Sequence, residues 1–210
     1  MRIVHPFPQP ARARVDAGFL DPRYPQWRRA AGLAPAEHTG VDYNLVGTSG
    51  DADLGYPVVA MADGIVRHAR AHRIWGNIVL LEHPQLGLWS QYAHLYQLAV
   101  DAGQEIWAGE PLGSIGRGDP RAPFLAHLHF EIRTRPLPAD NWPGMNKTAI
   151  KEGYLDPETW LKQHMATERR FTRQGLVLWL PDGKHSMPGK TIVNLDDPTL
   201  VHVRTNRALQ

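Results

Sequence analysis

Short apolar runs, each bounded by turn-forming residues, occupy the chain from His38 to about Leu161. Glycine, proline and aspartate separate runs whose length and β-branched or aromatic content are typical of strands. These runs are YPVVAMA, GIVRHAR, NIVLLEH, LWSQYAHL, EPLGSIG and LHFEIR. The pattern predicts a turn-rich, mainly β core built of many short strands.

The run AHLHFEIR, residues 126 to 133, alternates between apolar and polar side chains. Read at the two-residue period of a strand, it places Leu128, Phe130 and Ile132 on one face. His127 and His129 fall together on the other face, and the pattern predicts a half-buried strand. The Cα atoms of these histidines would lie roughly 6.5 to 7 Å apart, so that one imidazole could bind a metal while the other faces the metal's open position.

Both ends of the chain differ from this core. Residues 1–36 are rich in proline and predict an extended arm, with a short helix at PQWRRAAGL. YLDPETWLKQH predicts a closing helix with Asp156 as N-cap and Pro157 at the first helical position. Further strand-like runs, LVLWL, KTIVNL and LVHVRT, with PDGK as a turn, follow it. We therefore expect a core domain at residues 37–161 and a small C-terminal β-rich extension at residues 162–210.

The composition of the 210-residue chain limits its chemistry. Hydrophobic residues make up 42%, enough for a substantial core, and 23 basic against 21 acidic residues do not imply a large nucleic-acid-binding surface. Cysteine is absent, which excludes disulfides and thiol nucleophiles and leaves His, Asp and Glu as candidate metal ligands. The sequence has no apolar span of about 20 residues and no secretory-type apolar segment at its start, so we expect a soluble chain with no membrane span and no visible export signal.

Two further histidines stand in informative contexts. In HTGVD, His38 and Asp42 are four residues apart, but Thr39, Gly40 and Val41 are poor helix formers. In a straight strand the two Cα atoms would be about 13 Å apart, too far to share a metal, whereas a bend at Gly40 would bring them together. The other histidine, in SQYAHLYQL, ends a strand-like run at position 94. The remaining histidines are interpreted as ordinary structural residues: His5, His68, His72, His83, His164, His185 and His202.

Taken together, HTGVD, YAHL and HLH occur in this order with GYPVVAMADGIV, GNIVLLEH, VDAGQEIWAGEPLGSIG and YLDPETWL around them. In these motifs, from about residue 36 to 161, the chain resembles the lysostaphin/LytM-type zinc metallopeptidases, which cut peptidoglycan cross-links. The resemblance implies a mainly β fold. Its antiparallel, sandwich-like core would carry a groove, of the duplicated hybrid motif type, with short helices and a small C-terminal β extension.

The resemblance also implies a site. His38, Asp42 and His129 would bind one Zn²⁺ per chain, and His94 and His127 would be catalytic residues beside its open position. The function implied is that of a zinc-dependent endopeptidase acting on peptidoglycan stem peptides and cross-bridges. Such an enzyme would work at the cell wall, whether periplasmic, extracellular or phage-delivered. No H-E-x-x-H helix is present to supply the alternative arrangement with a glutamate base.

Several alternatives stay open at this stage. A non-catalytic relative could bind peptidoglycan or activate another hydrolase, although all five site positions are filled here. The loops YNLVGTSGDADLGYPV and GRGDPRAPFLA are longer than is usual in the family, so the cross-link that is cut does not follow from the resemblance. The arm is interpreted as a surface wrap or as a cover of the cleft, with His5 or Asp16 capping the zinc. Residues 162–210 are interpreted as a packed β extension or as a wall-targeting or assembly element. The division of labour between His94 and His127 and the oligomeric state are undetermined.

Overall fold

A computed structural model describes residues 2–118 and 124–165, together with the strand segments 178–179, 184–186 and 192–194. The chain divides into two compact units, Met1–Met165 and Ala166–Gln210. Each unit has a sheet of its own. In the described part of the chain, no helix is long and apolar enough to cross a membrane.

The first unit is built mainly from strands. They are β1 (Ala13–Ala17), β2 (Val41–Leu45), β3 (Pro57–Val59), β4 (Gly64–His72), β5 (Gly76–His83), β6 (Leu88–Leu98), β7 (Glu105–Ile106), β8 (Pro111–Ile115), β9 (Leu128–Arg133) and β10 (Tyr154–Leu155). The helices are α1 (Tyr24–Ala30), α2 (Lys147–Gly153) and α3 (Pro157–His164), with a 3-10 turn at Pro10–Arg12. Asp156 caps α3 by accepting a hydrogen bond from the backbone of Glu158, as the sequence predicts.

The strands of this unit pair antiparallel in the order β1-β2-β9-β6-β5-β4-β7. Strand β10 pairs with β9, and β8 joins β3 to β6. The mainly β, antiparallel fold with short helices that the sequence predicts is therefore confirmed. Strands β2, β9 and β6 are neighbours in this sheet. They carry Asp42, His129 and His94, while His38 and His127 lie just before β2 and β9.

Strand β9 is buried on both faces, so the expectation of a half-buried strand is wrong. All six of its residues are buried. On its apolar face, Phe130 packs against the rings of Tyr43 and Tyr92. The polar face is covered by the segment that follows the strand, because Arg133 donates hydrogen bonds to the carbonyl oxygens of Leu137 and Pro138.

Strand β6 changes its partner at His94. Residues before His94 pair with β9, and residues after it pair with β8. The ladder between β6 and β5 also shifts register there, since Val79 faces Tyr92 whereas Asn77 faces Leu95. His94 has a φ of 61°, unusual for a residue with a side chain. This bulge redirects the strand at a candidate catalytic residue.

The N-terminal segment takes part in the sheet. Strand β1 pairs with β2, and Val4 donates a backbone hydrogen bond to Met61. Ile3 and Phe7 are buried in the main hydrophobic core. The segment thus contributes a strand and core side chains, which is more than the expected surface wrap. The predicted short helix is present as α1.

The second unit contains β11 (Leu178–Trp179), β12 (Lys184–Ser186) and β13 (Ile192–Asn194), paired antiparallel in that order. Strands β11 and β13 coincide with the predicted runs LVLWL and KTIVNL. Strand β12 begins at the last residue of the predicted PDGK turn. The third predicted run, LVHVRT, lies outside the described residues.

Gly40 is required where the chain bends into β2. A Cβ atom at this position would lie 2.2 Å from the carbonyl oxygen of Phe130 and 2.9 Å from Cγ of Glu131. We expect Gly40→Ala to lower the free energy of unfolding by about 2–3 kcal/mol, because β2 must move away from β9. Urea unfolding measures this. Gly18→Ala is the control: a Cβ there meets nothing within 4 Å, so we expect a change within about 0.5 kcal/mol. Equal losses in the two variants would contradict the prediction.

Candidate metal centre

Sheet pairing and one bend bring three ligand-type side chains together. Asp42 of β2 stands opposite His129 of β9 in the strand register, and Oδ1 of Asp42 lies 2.9 Å from Nδ1 of His129. The chain bends at Thr39 and Gly40, so Nε2 of His38 lies 3.1 Å from Asp42 Oδ1 and 3.1 Å from His129 Nδ1. The bend considered at Gly40 from the sequence is therefore present, and the three side chains form a group that could hold one metal ion.

The outer nitrogen of each imidazole is fixed by an acceptor. His38 Nδ1 donates to the carbonyl oxygen of Gly18 at 2.8 Å, and the ring stacks on Tyr24 with 4.2 Å between centroids. His129 Nε2 donates to Oε1 of Glu131 at 3.0 Å. Because each ring is held through its outer nitrogen, its inner nitrogen is directed at the other two members of the group, the arrangement found around metal-binding histidines.

A buried ionic network lies directly behind His129. Glu131 accepts hydrogen bonds from His129 and Thr39 on Oε1 and from Arg133 Nε on Oε2, the last at 2.7 Å. Glu131 and Arg133 are both fully buried. Burial by itself would raise the pKa of Glu131, but the charge of Arg133 and the hydrogen bonds from His129 and Thr39 lower it to about 2. Glu131 is therefore an anion that holds the ring of His129 in place.

The electrostatics of the group favour a cation. Burial alone would raise the pKa of Asp42, but the nearby imidazoles His38, His127 and His129 hold it well below its usual range. Burial lowers the pKa of His129, but its hydrogen bonds to Asp42 and Glu131 outweigh this effect and raise the pKa to about 9. The imidazolium of His129 thus lies between two carboxylates, and a divalent cation bound by Asp42 and His129 would replace the proton on Nδ1.

The two remaining predicted histidines lie beside this group. His127 precedes β9 and has Nε2 3.8 Å from Asp42 Oδ1, while its Nδ1 donates to the carbonyl oxygen of Leu125 at 2.8 Å. The His94 ring lies 4.6 Å from that of His127, centroid to centroid. Burial, followed by the charges of His127 and His129, holds the pKa of His94 well below its usual value, so its ring is neutral. The structure therefore brings all five predicted site residues together.

His5 and Asp16, considered from the sequence as caps of the site, lie elsewhere. The ring of His5 packs on Phe7 and Tyr43, and Asp16 pairs with Arg14. Neither belongs to the group of three ligand-type residues. The N-terminal segment instead reaches the site through the Gly18 carbonyl and the Tyr24 ring.

Asp42, His94, His127 and His129 open into a groove of about 510 Å³ with a largely aromatic lining, whereas His38 is fully buried next to Asp42 and His129. Besides Asp42 and the histidines, its wall includes residues from α1 and from the loops before β5 and after β9: Tyr24, Trp27, Arg28, Ile74, Trp75, Asp140 and Trp142. Sequence reasoning did not identify these wall residues as part of the site. PQWRRAAGL marks the helix that carries Trp27 and Arg28, but nothing local in the sequence places that helix beside HTGVD.

The two loops that depart from the family pattern contact each other. Asp51 pairs with Arg117 and also accepts a hydrogen bond from the backbone of Ala126 at 3.0 Å. Asp53 is buried and accepts from Asn44 and from the backbone of Leu45. The first loop is therefore tied to the segment that leads into His127.

Comparisons with known proteins agree with this geometry. Residues 36–142 match the family described as Peptidase family M23. The chain is 30% identical over 142 residues to the peptidoglycan DD-endopeptidase ShyA of Vibrio cholerae, covering 66% of this chain and 29% of ShyA. It is 33% identical over 103 residues to the murein hydrolase activator NlpD of Escherichia coli, covering 49% of this chain and 24% of NlpD. Both matches span less than a third of the relative.

Among solved structures, the antimicrobial peptidase lysostaphin from Staphylococcus simulans aligns with a TM-score of 0.51 at 22% sequence identity. The alignment covers 83% of this chain and 61% of lysostaphin. At this identity the likeness supports the fold, and it agrees with the mainly β architecture.

The Glu131–Arg133 pair provides a test of the network behind the site. We expect Glu131→Gln to lower the free energy of unfolding by about 3 kcal/mol, because the buried guanidinium of Arg133 loses its counter-charge. Urea unfolding measures the loss. The matched control is Glu82→Gln, which breaks the exposed pair between Arg67 and Glu82, and we expect it to cost about 1 kcal/mol or less. A loss as small as that of the control would show that Glu131 does not hold the network together.

Proposed function

The chain belongs to peptidase family M23, and we propose that it is a zinc-dependent endopeptidase that hydrolyses the peptide cross-links of bacterial peptidoglycan. One observation carries the proposal: two members of the ligand-type group His38, Asp42 and His129, namely Asp42 and His129, line the same groove as the imidazoles of His94 and His127. The named activity of ShyA supports the substrate class. The place of action would be the cell wall.

The three ligand-type residues fit one zinc ion per chain. Two imidazoles and one carboxylate are ligands that zinc accepts, and three protein ligands leave a position for water or substrate, as in catalytic sites. With bonds of about 2.0–2.1 Å in a tetrahedral site, ligand atoms lie about 3.3 Å apart. The corresponding separations here are 2.9 to 3.1 Å, so small side-chain movements suffice.

When bound, zinc would polarise the scissile carbonyl and lower the pKa of a water molecule toward about 7. The chain's own residues would move the protons. His127 donates through Nδ1 to the carbonyl oxygen of Leu125, and the tautomer set by this bond has its lone pair on Nε2. We assign His127 to take a proton from the attacking water and return it to the leaving amine.

We assign His94 to the developing oxyanion. Its neutral ring can donate one N–H to a substrate oxygen without carrying a charge. The ring is held parallel to Trp75 with 5.9 Å between centroids. Gly118, with a φ of +78°, packs closely against it: a Cβ there would lie 2.4 Å from His94 Nδ1. Such packing keeps the donor in one orientation.

A second candidate is a non-catalytic activator of another hydrolase, as the name of NlpD states for that relative. The complete set of three ligand-type residues and two flanking imidazoles favours the enzyme. For the domain organisation we propose a catalytic domain at residues 37–161 that depends on the arm of residues 1–36 for part of its groove. Residues 162–210 would be a β-rich extension.

The ligand and proton-transfer roles are separable by mutation. We expect His38→Ala, Asp42→Ala and His129→Ala to lose bound zinc, whereas His94→Ala and His127→Ala retain zinc and lose about 10²–10⁴-fold in kcat. Metal analysis of the purified variants, together with fragment release from peptidoglycan, measures both effects. The exposed His164, replaced by alanine, is the control and should change neither. Stoichiometric zinc in the Asp42→Ala protein would overturn the ligand assignment.

The reaction itself is tested by digesting purified sacculi of several cross-bridge types and identifying the fragments. We expect new amino groups at peptide cross-links, and loss of their release when zinc is removed by a chelator. Release of reducing sugars without new amines would mean glycan cleavage and defeat the proposal. A zinc-free chain that releases nothing alone but stimulates a second hydrolase would identify the activator instead.

A further inference from the structure

One wall of the groove comes from α1 rather than from the sheet. Tyr24 and Arg28, one helical turn apart, both line the groove. The Tyr24 ring stacks on His38, and across the groove Trp142 lies 6.4 Å from His129 between ring centroids. These two aromatic rings therefore border the ligand-type residues.

Arg28 is placed between these two rings. Its guanidinium carbon lies 5.4 Å from the Trp142 centroid and 5.9 Å from the Tyr24 centroid. Its Nε donates to the carbonyl oxygen of Ala34 at 2.8 Å, which fixes the plane of the guanidinium. Arg28 also hydrogen-bonds the side chain of Tyr24. Its two terminal nitrogens together carry four N–H groups, so donors remain for a further acceptor.

Among the described residues, the charge of Arg28 has no carboxylate partner. Among the described residues that line the groove, it is the only lysine or arginine. Within the described part of the chain, no Asp or Glu forms an ion pair with it, whereas the nearby Arg23 is paired with Asp21. Arg28 is also only partly exposed, so its donors are not simply dispersed in solvent.

These contacts point to an anion from the substrate. A fixed guanidinium binds a carboxylate through two parallel hydrogen bonds, which adds specificity as well as affinity. Stem peptides of peptidoglycan that contain diaminopimelate carry a free carboxylate beside the cross-linking amide, whereas glycine bridges are neutral along their length. Since Arg28 is separated from His38 and His129 by single aromatic rings, a carboxylate bound there would lie close to the reacting amide.

We infer that Arg28, supported by Tyr24 and Trp142, is a specificity-determining residue that binds a substrate carboxylate adjacent to the scissile bond. The groove would then select acidic, diaminopimelate-type cross-links over neutral glycine bridges. This inference rests on the proposed function, because it names the substrate class of the same site.

The test uses two synthetic D-alanyl–diaminopimelate dimers that differ in one group: the carboxylate beside the cross-link is free in one and an amide in the other. For the wild-type chain with zinc we expect kcat/KM to favour the free carboxylate by about 10–100-fold, the range of a charged hydrogen-bonded contact. Arg28→Gln should bring the ratio to within about threefold, through loss on the acidic dimer alone. Arg28→Lys should restore part of the preference.

Arg29→Gln is the matched control, since it removes the same charge from an exposed neighbour that does not line the groove. It should leave the preference unchanged. An equal loss of preference in Arg28→Gln and Arg29→Gln would mean that long-range charge alone causes the effect, and it would overturn the inference.

Calorimetric binding of non-cleavable analogues of the two dimers gives a readout that does not need turnover. If neither dimer is cut, the proposed function fails, while the binding ratio still decides the role of Arg28. Equal ratios in wild type and Arg28→Gln, or no binding of either analogue, would overturn it.

Discussion

The antiparallel pairing of β2 with β9 is the constraint on which the site depends. It sets Asp42 directly opposite His129, and the backbone hydrogen bonds of the two strands fix that distance with little freedom. The close approach continues to Gly40, where β9 leaves no room for a Cβ atom. From that residue the chain turns back, so that His38 can reach the same point from outside the ladder. A site made this way is as rigid as the sheet, which is what preorganised chemistry requires.

The polar face of β9 shows how the fold tolerates such a site. Buried charges destabilise a protein unless each has its partners. Here negative and positive groups alternate from β2 along β9, in the order Asp42, His129, Glu131 and Arg133. The segment after β9 supplies two carbonyl oxygens for Nη1 of Arg133. The network therefore serves the stability of the sheet and the orientation of His129 at once.

Local sequence patterns were sufficient to predict strands and helices, but not to predict what packs against them. Alternation in AHLHFEIR correctly put His127 and His129 on one face, and Asp156 with Pro157 correctly marked the start of α3. The same alternation could not show that the polar face of β9 is covered, because the cover comes from a segment with no periodicity of its own. Nor could YAHL reveal the positive φ of His94, which follows from the change of strand partner. The convergence of His38 and His129, which are far apart in sequence, was reached only through the resemblance to a family.

The floor and the wall of the groove have different origins in the chain. The floor residues Asp42, His94, His127 and His129, and the buried His38 that contacts two of them, all fall inside the segment that matches peptidase family M23, from residue 36 to 142. The wall formed by Tyr24, Trp27 and Arg28 precedes that segment, yet it contacts the floor through the stacking of Tyr24 on His38. Strand β1 pairs with the other edge of β2, with Ala17 opposite Asp42, so the segment that leads into the wall begins at the strand that carries Asp42. The residues proposed for metal binding and proton transfer can therefore stay the same while substitutions in the wall change the substrate preference.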